Sequence, residues 1–168
     1  AFQFDHLKIG RKNKWKRTPC TAEQVKKTLC FWQQFSQAND LYYALFTDNH
    51  DYGWFLSACG DESEFRFESA TMYATMFYLL KGVPFVYQGQ EIGQINSFYR
   101  TPKAFIDVET KNYQKKYQAK LDKKELLSRL NFGSRDNPRR PMAWMDDKQT
   151  NYGFSLGTPW LRVSSDAK

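Results

Sequence analysis

Strand and helix signals alternate through the first half of this chain, and that alternation restricts the fold more than any other feature. Phe2-Gln3-Phe4-Asp5-His6-Leu7 alternates in polarity and reads as a short strand. Thr21-Ala22-Glu23-Gln24 has capping-box spacing and opens a helix. Val25, Leu29, Trp32 and Phe35 recur at helical intervals as a buried stripe, and the helix fades near Asn39-Asp40. Residues 41–46 are an apolar run of strand length. Residues 67–81 form a helix that is apolar on most of its circumference and is therefore expected to be well buried, with Gly82 suited to its C-terminal cap. Val83-Pro84-Phe85-Val86-Tyr87 is a third strand, with Pro84 near its start, where a missing N–H is tolerated. This order predicts parallel pairing through crossover helices. Three parallel strands leave two apolar edges open, and two helices do not cover both faces. The pattern suits three consecutive strands of a larger sheet or barrel. An eight-stranded βα barrel takes about 250 residues, so 168 residues do not close one.

The second half has a different character. Residues 88–107 are irregular. Residues 108–130 are polar and helical, broken near Leu121-Asp122, and residues 131–160 are loop-like. The net charge of +7 is concentrated in two places: Lys8, Arg11, Lys12, Lys14, Lys16 and Arg17, then Lys111, Lys115, Lys116, Lys120, Lys123 and Lys124. No RNP, KH or helix-turn-helix pattern accompanies them. They read as a solvated loop and a solvated helix face, with no nucleic acid as partner. An aromatic content of 17% argues against disorder. No apolar run approaches the roughly 20 residues that span a bilayer, so no membrane partner is expected. Cys20, Cys30 and Cys59 form no CxxC pair, which removes a zinc knuckle or thioredoxin-type site. A reducing, cytoplasmic location is expected. The start at Ala1 suggests a piece of something longer.

Thr47-Asp48-Asn49-His50-Asp51 follows a buried strand directly, the place where an α/β fold presents a site. With Phe46 it resembles the strand-seven motif of the α-amylase family of glycoside hydrolases. Four further motifs stand in the same order. Phe2-Gln3-Phe4-Asp5-His6-Leu7-Lys8 is similar to the strand-six segment of the oligo-1,6-glucosidase, dextran glucosidase and trehalose-6-phosphate hydrolase group. Lys81-Gly82-Val83-Pro84-Phe85-Val86-Tyr87-Gln88-Gly89-Gln90-Glu91-Ile92-Gly93 resembles strand eight and its turn. Asp107-Val108-Glu109-Thr110 and Ser134-Arg135-Asp136-Asn137-Pro138-Arg139-Arg140-Pro141-Met142-Ala143-Trp144 continue the likeness, as do Asn151-Tyr152-Gly153-Phe154 and Thr158-Pro159-Trp160-Leu161. The resemblance implies a partial (β/α)8 TIM barrel: strands six to eight with their helices and the long loop region after strand eight. Residues 1–168 would be the C-terminal portion of one catalytic barrel domain, with no second domain.

The resemblance also implies an enzyme that cleaves α-glucosides with retention. Such chemistry needs a carboxylate nucleophile and a carboxylic acid about 5–5.5 Å apart. In the family both lie upstream of what corresponds to Ala1. Asp51 matches the third carboxylate, which binds sugar hydroxyls in the transition state and helps keep the acid protonated. His50 matches the histidine of the cleavage subsite, and Arg135 the arginine on the non-reducing-end glucose, with a loop salt bridge to Asp136 as its simpler alternative. Glu109 matches an acceptor-side glutamate; otherwise it is a helix-opening acid. Lys8 matches a lysine reaching the acceptor sugar, against a solvated lysine. Asn49 shapes the turn and Glu91 holds the turn after strand eight. The chain departs from the family at His50-Asp51-Tyr52-Gly53-Trp54, where His-Asp-x-Pro-Arg is usual, and at Ala58-Cys59, where Arg-Phe is usual. Tyr52 and Trp54 there offer an aromatic sugar platform. No cofactor and no metal is implied, and the partner is an oligosaccharide or α-glucoside. Two alternatives stay open: a non-catalytic relative resembling the heavy chains of amino-acid transporters, and an isomerase or transglucosylase acting on sucrose.

Overall fold

A computed structural model describes residues 1–163. The parallel crossover predicted from sequence is present. Strand β3 (Ala44–Leu45) pairs in parallel with β4 (Val83–Pro84), Ala44 opposite Val83 and Leu45 opposite Pro84. Val83 N–H donates to Tyr43 C=O at 2.9 Å and Phe85 N–H to Leu45 C=O at 2.8 Å. Pro84 sits between these two donors, where its missing N–H costs no ladder bond.

The first predicted strand does not form as such. A single ladder-like bond, Ala44 N–H to Ala1 C=O at 2.8 Å, ties it to β3. The chain then tightens into a 3₁₀ turn at His6–Lys8. His6 and Leu7 are both buried, and a strand cannot send two successive side chains to one side. Gln3 stabilises the turn, its Oε1 accepting Asp5 N–H at 2.9 Å and its amide meeting His6 Nδ1 at 2.9 Å. The basic segment that follows is a hairpin rather than a loop: β1 (Arg11–Asn13) antiparallel to β2 (Lys16–Arg17). It buries Arg11 and Trp15, so only part of that positive cluster is solvated. The second cluster, on residues 111–124, is exposed throughout its lysines, as expected.

Helix α1 (Ala22–Ala38) starts at the predicted capping box. Thr21 Oγ1 accepts Gln24 N–H at 3.2 Å, and Thr21 N–H donates to Gln24 Oε1 at 3.1 Å. Val25 and Leu29 are buried as predicted, but Phe35 is exposed and Trp32 half-buried. Trp32 belongs to an aromatic cluster with Phe31 and Phe35, and its indole N–H donates to Asp5. Two short helices follow β3: α2 (Phe55–Cys59), unannounced by the sequence, and α3 (Arg66–Tyr78). The expectation that this second helix is well buried fails. Only Tyr73 and Phe77 are inside, while Phe67 is 75% and Leu79 80% exposed. The described residues bring nothing against those faces. Gly82 is not the helix cap, which falls at Leu79. Its role is close approach: a Cβ there would lie 2.6 Å from Leu45 Cγ and 2.7 Å from Tyr43 O.

Leu7, Ile9, Val25, Leu29, Phe46, Phe55, Leu56, Tyr73 and Phe77 join the 3₁₀ turn, helices and β3 in one core. A second core lies under α4 (Val108–Tyr117) and α5 (Lys123–Gly133), which break where predicted. Here Phe105, Leu126 and Leu130 meet Trp15 of the hairpin, which stacks on Tyr113 at 4.2 Å. Asp107 and Asp122 cap the two helices, accepting from Thr110 N–H and Glu125 N–H. Among the described residues no helix is long and apolar enough to cross a membrane.

Candidate functional site

The polar run at the C-terminal end of β3 turns sharply. Asn49 Oδ1 accepts Asp51 N–H at 2.8 Å, the Asx-type turn expected of it. Asp48, just before, points inward. One of its oxygens accepts Phe55 N–H at 2.7 Å, at the start of α2, and the other accepts the Thr47 hydroxyl at 2.6 Å. Arg11 holds the same loop from the hairpin side, donating from Nη2 to Gly53 C=O at 2.8 Å. Residues 49–54 are therefore fixed at both ends by buried side chains.

Burial pushes the Asp48 carboxyl up to about 6, against the hydrogen bonds from Phe55 and Thr47 and the charge of Arg11. The folded value lies above the unfolded one. The group therefore favours folding at low pH, and that contribution is lost as pH rises through about 6. Asp48→Asn is expected to raise stability at pH 7–8 by up to about 3 kcal/mol, an advantage over the parent chain that shrinks as pH falls from 6 to 4. Urea unfolding across that range checks it, and parallel profiles for the two proteins would refute it.

Asp51 emerges on the open side of this turn, its side chain 47% exposed. Oδ1 lies 3.2 Å from Arg139 Nη2 and 3.6 Å from Arg135 Nη1, and Oδ2 lies 3.4 Å from His50 Nε2. Arg135 leaves the end of α5 and is held from behind by Asp107, whose Oδ1 is 2.9 Å from Nε and 2.8 Å from Nη2. Glu109 Oε2 is 3.2 Å from the same Nε and also pairs with Lys14 of the hairpin. Arg139 donates from Nε to His50 C=O at 2.9 Å, and its own carbonyl accepts Trp160 Nε1–H at 2.9 Å. Three carboxylates (Asp51, Asp107, Glu109) thus interlock with three cations (Arg135, Arg139, Lys14). Asp107 is the buried anchor, its side chain 3% exposed. Burial alone would raise its carboxyl. Hydrogen bonds from Arg135 and Thr110 outweigh burial and hold it below the usual carboxylate range. The hydrogen bond to Asp107 raises Arg135 in turn.

The simpler alternative for Arg135, a bridge to Asp136, is absent. Asp136 turns inward and accepts the N–H groups of Ile106 and Asp107 at 2.8 and 3.1 Å. The Thr110 and Ser134 hydroxyls meet at 2.8 Å. Residues 105–110 and 134–136 are locked together, and this sets the distance between Arg135 and Asp107.

Asp51, His50, Arg135 and Glu109 are therefore brought together. Lys8 is not: it is 74% exposed and pairs with Asp5 at 2.7 Å. Tyr52 lies at the cluster's edge with Arg11 and Lys14 each 5.6 Å from its ring centre. The aromatic platform is half corrected, because Trp54 is buried and offers no face to a sugar. Glu91 accepts Gly89 N–H at 2.7 Å and holds the turn after β4, as read from sequence. Sequence reasoning gave no role to Arg139, Asp107 or Lys14. Arg139 stood inside a quoted motif, and Asp107 had N-cap spacing to Thr110. Lys14 carried no local signal. A half-exposed carboxylate fixed by two guanidinium groups and a histidine is suited to accepting hydrogen bonds from hydroxyls on a neutral, polyhydroxylated ligand.

The alpha amylase catalytic-domain family matches the chain over residues 1–168. The chain belongs to this family. It is 35% identical over 172 residues to the oligo-1,6-glucosidase of Parageobacillus thermoglucosidasius, covering 100% of this chain and 30% of that protein. It is 35% identical over 169 residues to the trehalose-6-phosphate hydrolase of Bacillus subtilis, covering 99% and 30%. Among solved structures, the trehalose-6-phosphate hydrolase of Bacillus licheniformis superposes with a TM-score of 0.91 at 35% identity, covering 99% of this chain and 30% of that one. The isomaltulose synthase of Erwinia rhapontici superposes with a TM-score of 0.89 at 34% identity, covering 100% and 30%. The chain spans about 30% of the length of these relatives. It is thus part of an alpha-amylase-type catalytic domain, similar to an oligo-1,6-glucosidase, trehalose-6-phosphate hydrolases and an isomaltulose synthase alike.

Proposed function

We propose that residues 1–168 are the C-terminal portion of the catalytic barrel, strands six to eight and the following loops, of a retaining α-glucosidase acting on α-1,6-linked or related glucosides. The observation that carries this reading is Asp51, half-exposed and flanked by His50, Arg135 and Arg139. Asp51 would accept sugar hydroxyls more strongly in the transition state than in the ground state. His50 and Arg135 would hold the glucose at the cleavage point, and Glu109 and Tyr52 the acceptor side. Lys8, on its exposed turn, would reach a longer or phosphorylated acceptor. The nucleophile and general acid would come from the rest of the parent, and the chemistry calls on no cofactor and no metal. A cytoplasmic site of action is part of the same reading.

The experiment is a chimaera. Residues 1–168 replace the matching segment of the Parageobacillus thermoglucosidasius relative. The folded chimaera is expected to release glucose from isomaltose, and the chain alone to release none. Glucose release by the chain alone, or a folded chimaera inert to isomaltose, overturns the reading. A second reading, conversion of sucrose to an isomer, is favoured by the likeness to isomaltulose synthase. Isomerised sucrose with little glucose from isomaltose would select it.

A further inference from the structure

We propose that Cys20 and Cys59 form a reversible disulfide that staples the entry of α1 to the end of α2. The inference is independent of the glycosidase reading. Cys20 directly precedes the N-cap Thr21, and Cys59 is the last residue of α2. In the reduced chain the Cys59 thiol donates to Ile9 C=O at 3.6 Å. Cys20 and Cys59 together line a groove of about 520 Å³ with Arg17, Pro19 and Ala58. Both also pack on the first core cluster.

Their backbones are held in place. The capping box fixes the residue after Cys20. Tyr73 Oη–H donates to Cys59 C=O at 2.6 Å, and Gly10, at φ +72°, leaves room beside Cys59 Sγ that a Cβ would fill at 3.0 Å. The third thiol, Cys30, lies on the exposed side of α1. It is eight residues beyond Ala22, about 12 Å along the helix.

The oxidant is a low-molecular-weight disulfide of the glutathione type. The Cys20 thiolate attacks one glutathione sulfur, breaking that S–S bond and releasing one glutathione, which takes up the proton lost from Cys20. Cys59 then attacks the Cys20 sulfur, loses its proton, and expels the second glutathione as a thiol. Two protein thiols lose two electrons and two protons, and one glutathione disulfide gains them. The order follows from the environment of Cys59. Burial and the neighbouring Cys20 thiol push its own thiol far above the ordinary value, against the pull of Arg11 and Arg17. It is therefore the poorer first attacker. The bridge closes a loop spanning residues 20–59, and α2 begins four residues after Asp51, so oxidation clamps the frame behind that loop.

The test incubates the full chain in glutathione buffers of increasing oxidised fraction, then alkylates free thiols and maps them by mass spectrometry. The expected result is a Cys20–Cys59 linkage, alkylation only at Cys30, full reversal by dithiothreitol, and a melting temperature about 10 °C higher when oxidised. Cys30→Ser should leave the linkage intact. The same oxidation in denaturant should scatter pairing over all three cysteines, which separates proximity in the fold from simple reactivity. A linkage to Cys30 in the folded chain, a stable glutathione adduct on Cys20 that never resolves, or no oxidation of either residue overturns the proposal.

Discussion

Asp51→Asn in the chimaera is expected to lower kcat on isomaltose by about 10²- to 10³-fold while moving KM little. Asparagine keeps the size of the side chain and one acceptor oxygen, so Arg139 at 3.2 Å and Arg135 at 3.6 Å still have a partner. The negative charge is lost. On the proposed reading, that charge strengthens hydrogen bonds to sugar hydroxyls as positive charge builds on the ring, an interaction realised only in the transition state. The loss therefore belongs in kcat. Steady-state kinetics on isomaltose separates the two constants. A loss below threefold, or a change confined to KM, would remove Asp51 from the reacting centre and leave it a loop anchor.

Asp107→Ala is expected to cost about 3–5 kcal/mol in urea unfolding, the largest stability effect in the site. One substitution breaks three things. It takes from Arg135 its nearest partner at 2.8 Å, leaving Glu109 at 3.2 Å and Asp51 at 3.6 Å, and takes from Arg139 a carboxylate at 3.8 Å. It strips the N-cap of α4, where the carboxylate accepts Thr110 N–H at 2.9 Å. It also leaves the Thr110 hydroxyl without that acceptor. Asp107→Asn keeps an acceptor for the cap but not the charge for Arg135, and should fall between the two. The pH dependence has a definite sign. The folded carboxyl is held below its unfolded value, so its contribution is complete above about pH 4 and is lost as pH falls through the folded value. Asp48 runs the opposite way between about pH 4 and 6, and the buried His6 ring, pushed down to about 4 by burial, opposes Asp48 over that same range. A cost under about 1 kcal/mol for the alanine variant would mean that Glu109 and Asp51 hold Arg135 unaided.

The features legible in the sequence were those written in local pattern. The capping box at Thr21, the parallel β3–β4 crossover and the break between α4 and α5 all follow from spacing and periodicity. The meeting of Asp51, His50, Arg135 and Glu109 rests on motif order rather than on any local rule. The misses have physical reasons. Arg-Lys-Asn-Lys-Trp-Lys-Arg carries no apolar alternation, and its hairpin is held by the burial of Trp15 and Arg11 against residues far along the chain. Helix α2 is five residues long, too short for a periodic signal, and its start is held by an aspartate seven residues earlier. The apolar circumference of α3 reports a demand for burial, not the presence of something to meet it. Lys14 reaches Glu109 across 95 positions, a partnership no window of sequence contains.

The open faces of α3 have a colloidal consequence. Phe67, Met72 and Leu79 present apolar surface that draws copies of the chain together, while a net charge of +7 drives them apart. The two act over different ranges. Apolar attraction works at contact, whereas charge repulsion reaches about one Debye length, roughly 10 Å at 0.1 M salt and 3 Å at 1 M. Ionic strength is thus the variable that selects between dispersed copies and clustered ones, and low-salt buffer is the condition in which this chain is best handled alone.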